Sequence, residues 1–277
     1  MRAQEVHAGE SDAAADAISR VYRDELDVVV VRAAFDAEAL RRAGERLDAG
    51  AWRWSRPNES MPPEDVQLIG TDTPATPTYS APRGASLEAY LASAAAHAGD
   101  TRAAFDAAFD AAAAVHAAIA RVAGGRPVRV AQAADGRAYA PFTIRRLIEG
   151  KQIGLHHDFH WGLDLYRELA RQVDTSTLVS FVAALRTPLE GGELIVYGAT
   201  SDDAAVPRLA NGFSYDLGAV EARYRRVSIA LRPGDMFLLA AGRCLHRVER
   251  VVGPCARITM GGFLALDLAR EQVLYWS

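Results

Sequence analysis

The sequence predicts an α+β chain dominated by β structure: a double-stranded β-helix, the cupin-like jelly roll, with helices packed in front of it. Two observations carry this. From residue 128 to residue 266, short β-branched and apolar runs follow one another at the density of a sandwich or barrel. Ahead of them lies Ala-rich text with apolar residues at spacings of three and four, the period of a helix face. Turn pairs such as Gly191-Gly192 and Pro233-Gly234 punctuate the later runs.

Taken in order, Ser11 to Tyr22 reads as a short helix with Ser11 or Asp12 as its cap. Asp27-Val28-Val29-Val30-Val31 reads as a buried strand. Asp36 caps a second helix running to about Ala49 and closed by Gly50. Residues 52–84 then hold six prolines and two tryptophans with no sustained period, which suits a lid or binding loop. Ser86 to Val122 reads as helix broken at Gly99-Asp100, with Phe105, Phe109, Ala112, His116, Ile119 and Val122 on one apolar stripe and His116 packed in the core. The strands that follow are Val128–Gln132, Phe142–Ile148, Ile153–Asp158, Leu178–Leu185, Leu194–Tyr197, Val227–Leu231, Met236–Ala240, Leu245–Val252 and Arg257–Leu266, with Thr200 to Arg226 as a long insertion. The expected organisation is a single domain over residues 1–277, mostly helical to 125 and jelly roll from 126.

The bulk composition excludes several classes. Half the residues are hydrophobic, enough for a sizeable core without disulfides. A net charge of −4, with bases scattered among acids, gives no footprint for a phosphate backbone and argues against nucleic acid as a partner. No apolar run approaches the ~18 residues needed to span a bilayer, so no membrane partner is expected. The first 16 residues lack the apolar core of a signal peptide. Cys244 and Cys255 form no C-x-x-C pair, and a reduced, cytoplasmic protein is the expectation. A homodimer is compatible with these numbers.

The chemistry concentrates in His156-x-Asp158, followed 88 residues later by His246. Residues two apart on a strand share a face, so His156 and Asp158 can grip one ion while His157 points away. Two histidines and a carboxylate are the facial triad of non-haem Fe(II), which leaves other positions open for a cosubstrate and O2. Cys244-x-His246 offers a softer metal pair, although a buried strand cysteine is the commoner case. Arg257, 11 residues beyond His246, is placed to return on the neighbouring antiparallel strand, where its guanidinium can take a dicarboxylate through two parallel hydrogen bonds.

Longer strings carry a resemblance. Gly136 to Gly150 (GRAYAPFTIRRLIEG), Gly191 to Tyr197 (GGELIVY), His246 to Glu249 (HRVE) and Gly261 to Ala265 (GGFLA) resemble the stand-alone Fe(II)/2-oxoglutarate halogenases of indole alkaloids and the related N-acyl L-amino acid β-hydroxylases. The likeness covers about residues 127–266 well and the N-terminal part more loosely. It implies a jelly-roll enzyme with Fe(II), 2-oxoglutarate and O2, in which His156, Asp158 and His246 hold the metal and Arg257, with Arg145 as the next candidate, binds the cosubstrate. The halogenases carry glycine where this chain has Asp158, and that vacancy receives halide. With Asp158 present, the resemblance implies hydroxylation rather than chlorination.

A small-molecule substrate is expected, a free or N-acylated (N-succinyl) L-amino acid first. An alkaloid-like secondary-metabolite scaffold is the alternative, and a non-catalytic jelly-roll binder a weaker one. Phe159, Trp161 and Phe263 are candidate walls for the target C–H. Arg83, Arg167 and Arg171 are candidate anchors for a substrate anion. Arg145 and Arg146 alternate on one strand, so one of them points into the barrel or is paired.

Overall fold

The computed structural model describes residues 1–8, 15–50, 52, 67–69, 87–158, 161, 164–209 and 215–277. Its strands are β1 (Ala3–His7), β2 (Val28–Arg32), β3 (Gln67–Ile69), β4 (Val128–Val130), β5 (Thr143–Leu147), β6 (Ile153–His156), β7 (Val179–Arg186), β8 (Leu194–Thr200), β9 (Arg226–Ile229), β10 (Met236–Leu239), β11 (Cys244–Val248), β12 (Arg257–Leu266) and β13 (Val273–Trp276). The helices are α1 (Ala17–Tyr22), α2 (Ala37–Ala49), α3 (Leu87–Ala103), α4 (Ala111–Val122), α5 (Asp164–Arg167) and α6 (Leu217–Arg223).

Two sheets form the walls. The larger runs β1-β2-β10-β7-β12-β13-β4, with β5 beside β12 and β3 outside β5; the smaller runs β6-β11-β8-β9. This is the double-stranded β-helix with helices that the period-2 text predicted. β12 is the spine of the larger sheet. All ten of its residues are buried; Arg257 to Gly261 pair with β5, and Phe263 to Leu266 pair with β13.

Helix α2 shows how a helix seats on this wall. The Asp36 carboxylate accepts from the Glu38 and Ala39 N–H groups and satisfies two orphan donors of its first turn. Leu40, Ala43 and Leu47 are buried against the sheet. Between them Gly44 lies so close to β7 that a Cβ would stand 2.6 Å from the Leu185 carbonyl oxygen, so only glycine permits the approach.

Several expectations need correction. Helix α3 runs through Gly99 and Asp100 to Ala103; the break falls at residues 104–110, where Asp110 caps α4. The buried face of α4 is Ala111, Val115, Ala118, Ile119 and Val122, so His116 is exposed rather than packed, and the stripe was read out of register at its first turn. Alanine is apolar on every face and leaves the helix's rotation to the few larger side chains. Gly50 ends α2 in an extended conformation rather than a left-handed one, beside Trp52, whose indole N–H donates to the Arg46 carbonyl (3.1 Å). Strands β1, β3 and β13 were not anticipated. The lid expected over residues 52–84 lies outside the described residues, apart from Trp52 and β3. Among the described residues no helix is long and apolar enough to cross a membrane.

Candidate metal centre

His156 is the last residue of β6, and His246 faces it directly across the β6–β11 ladder, with ring centroids 4.2 Å apart. The register of β11 shifts on both sides of His246, the irregularity that re-aims side chains next to active sites. Asp158 lies past the end of β6, where its N–H donates to the Ala241 carbonyl (2.8 Å) and ties it to the β10–β11 connection. Three segments thus converge on one point.

The histidines are oriented alike. His156 Nδ1 lies 2.7 Å from the Gly154 carbonyl oxygen and His246 Nδ1 lies 3.0 Å from that of Cys244. A carbonyl only accepts, so each Nδ1 carries a proton, which leaves each Nε2 to hydrogen-bond Asp158 without an ion and to give its lone pair to one that binds. Both Nε2 atoms face the Asp158 carboxylate, at 3.4 Å from His156 and 3.6 Å from His246. The three ligand atoms lie within 4.8 Å of one another, the group among the described residues able to hold a metal ion. Ligands about 2.1 Å from one ion and at right angles stand about 3 Å apart, so these residues fit one octahedral cation on one face. Burial pushes the Asp158 carboxyl up, but hydrogen bonds and charge from His156 and His246 outweigh it and hold the group well below its usual range. It stays an anionic ligand.

Cys244 does not join them. It belongs to the hydrophobic core, burial pushes its thiol up to about 12, and its peptide oxygen rather than its sulfur meets His246.

The facing wall carries the cations. Arg257 does not return beside β11: β11 pairs with β6 and β8, whereas β12 pairs with β7, β5 and β13 in the other sheet. The eleven-residue spacing crosses the barrel instead of turning a hairpin. Arg257 pairs with Leu147 and Thr259 with Arg145, so Arg145 and Arg257 share one face of the β5–β12 pair. Arg257 is buried; its Nε donates to the Gly192 carbonyl (2.8 Å) and its Nη1 reaches the Thr259 hydroxyl (3.5 Å). Burial, then the charge of Arg145, pushes Arg257 down to about 10, leaving it protonated at neutral pH but poorly compensated. Burial also lowers Arg145, opposed by the charge of Asp158 and by Tyr166. Arg145 is therefore close enough to Asp158 and to Arg257 to exchange charge effects with both. Its neighbour Arg146 points the other way and pairs with Asp48 (3.2 Å), which settles the alternation.

The remaining candidates scatter. Trp161 is half-buried against Tyr166 (centroids 5.6 Å) and Trp276 (6.2 Å), and Phe263 is packed behind Trp276 (6.5 Å). Tyr166, which the sequence reading missed, is buried and close enough to Asp158 and Arg145 to be swayed by both. Its position one residue before exposed Arg167 on a four-residue helix gave no period to read. Arg171 is also exposed. Arg83 and Phe159 lie outside the described residues.

Among solved structures, the chain is similar to an N-substituted L-amino acid dioxygenase from Burkholderia ambifaria AMMD, with 13% identity over 94% of this chain and 90% of that one and a TM-score of 0.51. It is also similar to the α-ketoglutarate-dependent epimerase SnoN of nogalamycin biosynthesis (17% identity, 90% and 84% covered, TM-score 0.48). A third is a prolyl-4-hydroxylase from Pseudomonas putida (14%, 89% and 95% covered, TM-score 0.43). At such identities the first likeness bears on the fold. No curated protein matches the sequence. The family described as the carrier-protein-independent halogenase WelO5 matches residues 2–277, essentially the whole length, and the chain belongs to that family within the Fe(II)/2-oxoglutarate oxygenases.

Proposed function

We propose that the protein is an Fe(II)- and 2-oxoglutarate-dependent hydroxylase of a small molecule, and that an alkaloid-like secondary-metabolite scaffold is its substrate class. The observation that carries the hydroxylase reading is the Asp158 carboxylate between His156 and His246, at 3.4 and 3.6 Å from their Nε2 atoms. A third protein ligand takes the position that halide requires in the halogenases this sequence resembles. The family match over residues 2–277 supports the scaffold class.

Bound iron with 2-oxoglutarate and O2 supplies C–H oxidation, the cosubstrate leaving as succinate and carbon dioxide. The chain's own residues do the rest. His156, Asp158 and His246 hold the cation by one face and leave the opposite face free. Arg257 takes the distal carboxylate of 2-oxoglutarate with the guanidinium edge left over from Gly192. Arg145, whose charge is felt by Arg257 and which feels that of Asp158, would help to hold the cosubstrate. Tyr166, close enough to Asp158 to feel its charge, and Trp161 packed on it would wall the substrate side of the site. An N-acylated amino acid is the second reading; in it Arg257 alone holds the cosubstrate, and Arg145, buried near Asp158, takes the substrate carboxylate.

The test is a panel of indole alkaloids and N-acyl amino acids, assayed for succinate release and product mass in high chloride. The expected product gains one oxygen and no chlorine, and Asp158→Gly yields some chlorinated product with much activity lost. A chlorinated product from the unmodified enzyme would overturn the hydroxylase reading. Turnover confined to acyl amino acids would move the substrate to the second class.

A further inference from the structure

The two metal-bearing segments each present a second face, away from the ion. Alternation along β6 and β11 sends Leu155, Leu245 and Arg247 to the outside of the smaller sheet. That outer surface is not solvated. It forms its own apolar cluster, in which Val206, Tyr215 and Val220 from the 201–225 insertion cover Leu155, Tyr197 and Leu245.

The insertion also makes polar contacts there, and both fall on the immediate neighbours of ligands. His157, between ligands His156 and Asp158, shares a hydrogen bond through Nδ1 with the Tyr215 hydroxyl (3.0 Å). Arg247, next to ligand His246, is buried; its Nε donates to the Tyr197 hydroxyl (2.8 Å) and its Nη2 lies 3.4 Å from Glu221 of α6. Tyr197 in turn donates to the same Glu221 oxygen (2.9 Å).

Tyr215 is itself fixed. It is 3% exposed, bridges to Arg208 across the insertion, and lies under that residue's guanidinium (5.3 Å). The next residue, Asp216, caps α6 by accepting from the Ala219 N–H (3.0 Å) and donates its own N–H to the Pro207 carbonyl (3.0 Å). A side chain held on both sides restrains whatever it bonds to.

From these contacts we infer that the described parts of the insertion, residues 201–209 and 215–225, form a brace that positions the metal ligands from behind, acting through Tyr215 on His157 and through Glu221 on Arg247. The segment carrying Asp158 needs such a restraint most. The β6 ladder ends at His156, and beyond it the Asp158 N–H donates to the Ala241 carbonyl instead of to a neighbouring strand. A carboxylate free to swing loses a fixed ligand geometry, and groups outside the ligand shell set metal affinity for this reason. Tyr215 and His157 are positioning residues, and the inference rests on the metal assignment above.

The experiment titrates the metal-stripped full-length protein with Mn(II), followed by electron paramagnetic resonance, alongside its melting temperature in chelator. Tyr215→Phe keeps the ring in its cluster and removes the hydroxyl. Tyr224→Phe is the control: its hydroxyl donates to Asp203 (2.5 Å) within the same insertion and meets no neighbour of a ligand. Loss of an outer-shell partner costs about 10–100-fold in metal affinity, and for a contact one residue removed the expected loss in Tyr215→Phe is about tenfold. Its bound Mn(II) spectrum broadens, Tyr224→Phe binds as the unmodified protein does, and both variants melt alike. His157→Gln, which keeps a side-chain partner for Tyr215, retains most of the affinity that His157→Leu loses. Unchanged Mn(II) affinity in Tyr215→Phe, or an equal loss in Tyr224→Phe, would overturn the brace. Failure of the unmodified protein to bind Mn(II) would instead strike the metal assignment itself, which separates the two failures.

Discussion

On the four-stranded wall the side chains turned to the site are lone-pair donors, His156, His246 and Asp158, whereas on the nine-stranded wall they are the guanidiniums of Arg145 and Arg257. The donors sit on short strands or just past one: His156 ends four-residue β6, Asp158 lies beyond it, and His246 is the middle residue of five-residue β11. The cations sit in the ladder around β12, ten residues long and buried throughout. The difference teaches how the site is polarised. One wall offers donors to a cation and the other offers buried positive charge to an anion, and burial works against both the Arg145 and the Arg257 charge. Under the proposed function a 2-oxo dicarboxylate would bridge the two walls, with Arg257 taking one carboxylate. Each wall can be broken separately.

The largest effect is expected on the donor wall. His246→Ala removes one of three ligands and should lower Fe(II) affinity by about 100-fold or more, since even outer-shell losses reach that range. Iron content after anaerobic loading and desalting checks this, and an unchanged stoichiometry would remove His246 from the centre. The cation wall should respond more gently. Arg257→Ala should weaken 2-oxoglutarate binding by more than about tenfold, because a charge-assisted hydrogen bond is worth roughly 1.5–3 kcal/mol. Arg257→Lys should recover part of that, a point charge replacing a fork. Titrating 2-oxoglutarate into the Fe(II) protein under anaerobic conditions measures both. Intact affinity in Arg257→Ala would shift the anchor to Arg145.

The two walls also differed in how far they could be read from the text. His156, Asp158 and His246 were legible from residue type and the i, i+2 spacing, although β6 ends at His156 and Asp158 reaches the site from just beyond it. Arg257 was legible as a cation near a strand start, but its sheet was not, since an eleven-residue separation fits a hairpin as well as a crossing of the barrel. β1 (AQEVH) escaped notice because only Val6 in it is buried and its partner β2 arrives through parallel pairing at long range. The brace was invisible for the same reason: Tyr215 and His157 are 58 residues apart, and nothing local marks either one.

A smaller perturbation sharpens the comparison by reaching the cation wall through its backbone. Gly192 has φ of +77°, and a Cβ there would stand 2.8 Å from Pro188 Cγ and 3.1 Å from Arg257 Cδ. Gly192 also supplies the carbonyl that holds Arg257 Nε. Gly192→Ala therefore combines left-handed strain, about 1–2 kcal/mol, with pressure on the arginine stem. Gly150 has nearly the same φ, +79°, with nothing within 4 Å of its Cβ position. Gly150→Ala carries the strain alone. Gly192→Ala should lose more stability in urea melts than Gly150→Ala, weaken 2-oxoglutarate binding by about threefold to fivefold, less than the tenfold of a lost charge-assisted bond, and leave Fe(II) content unchanged. Equal cosubstrate affinity in the two variants would mean that the Arg257 stem yields freely. The cation wall would then owe its geometry to Thr259 and Arg145 rather than to the Gly191-Gly192 turn.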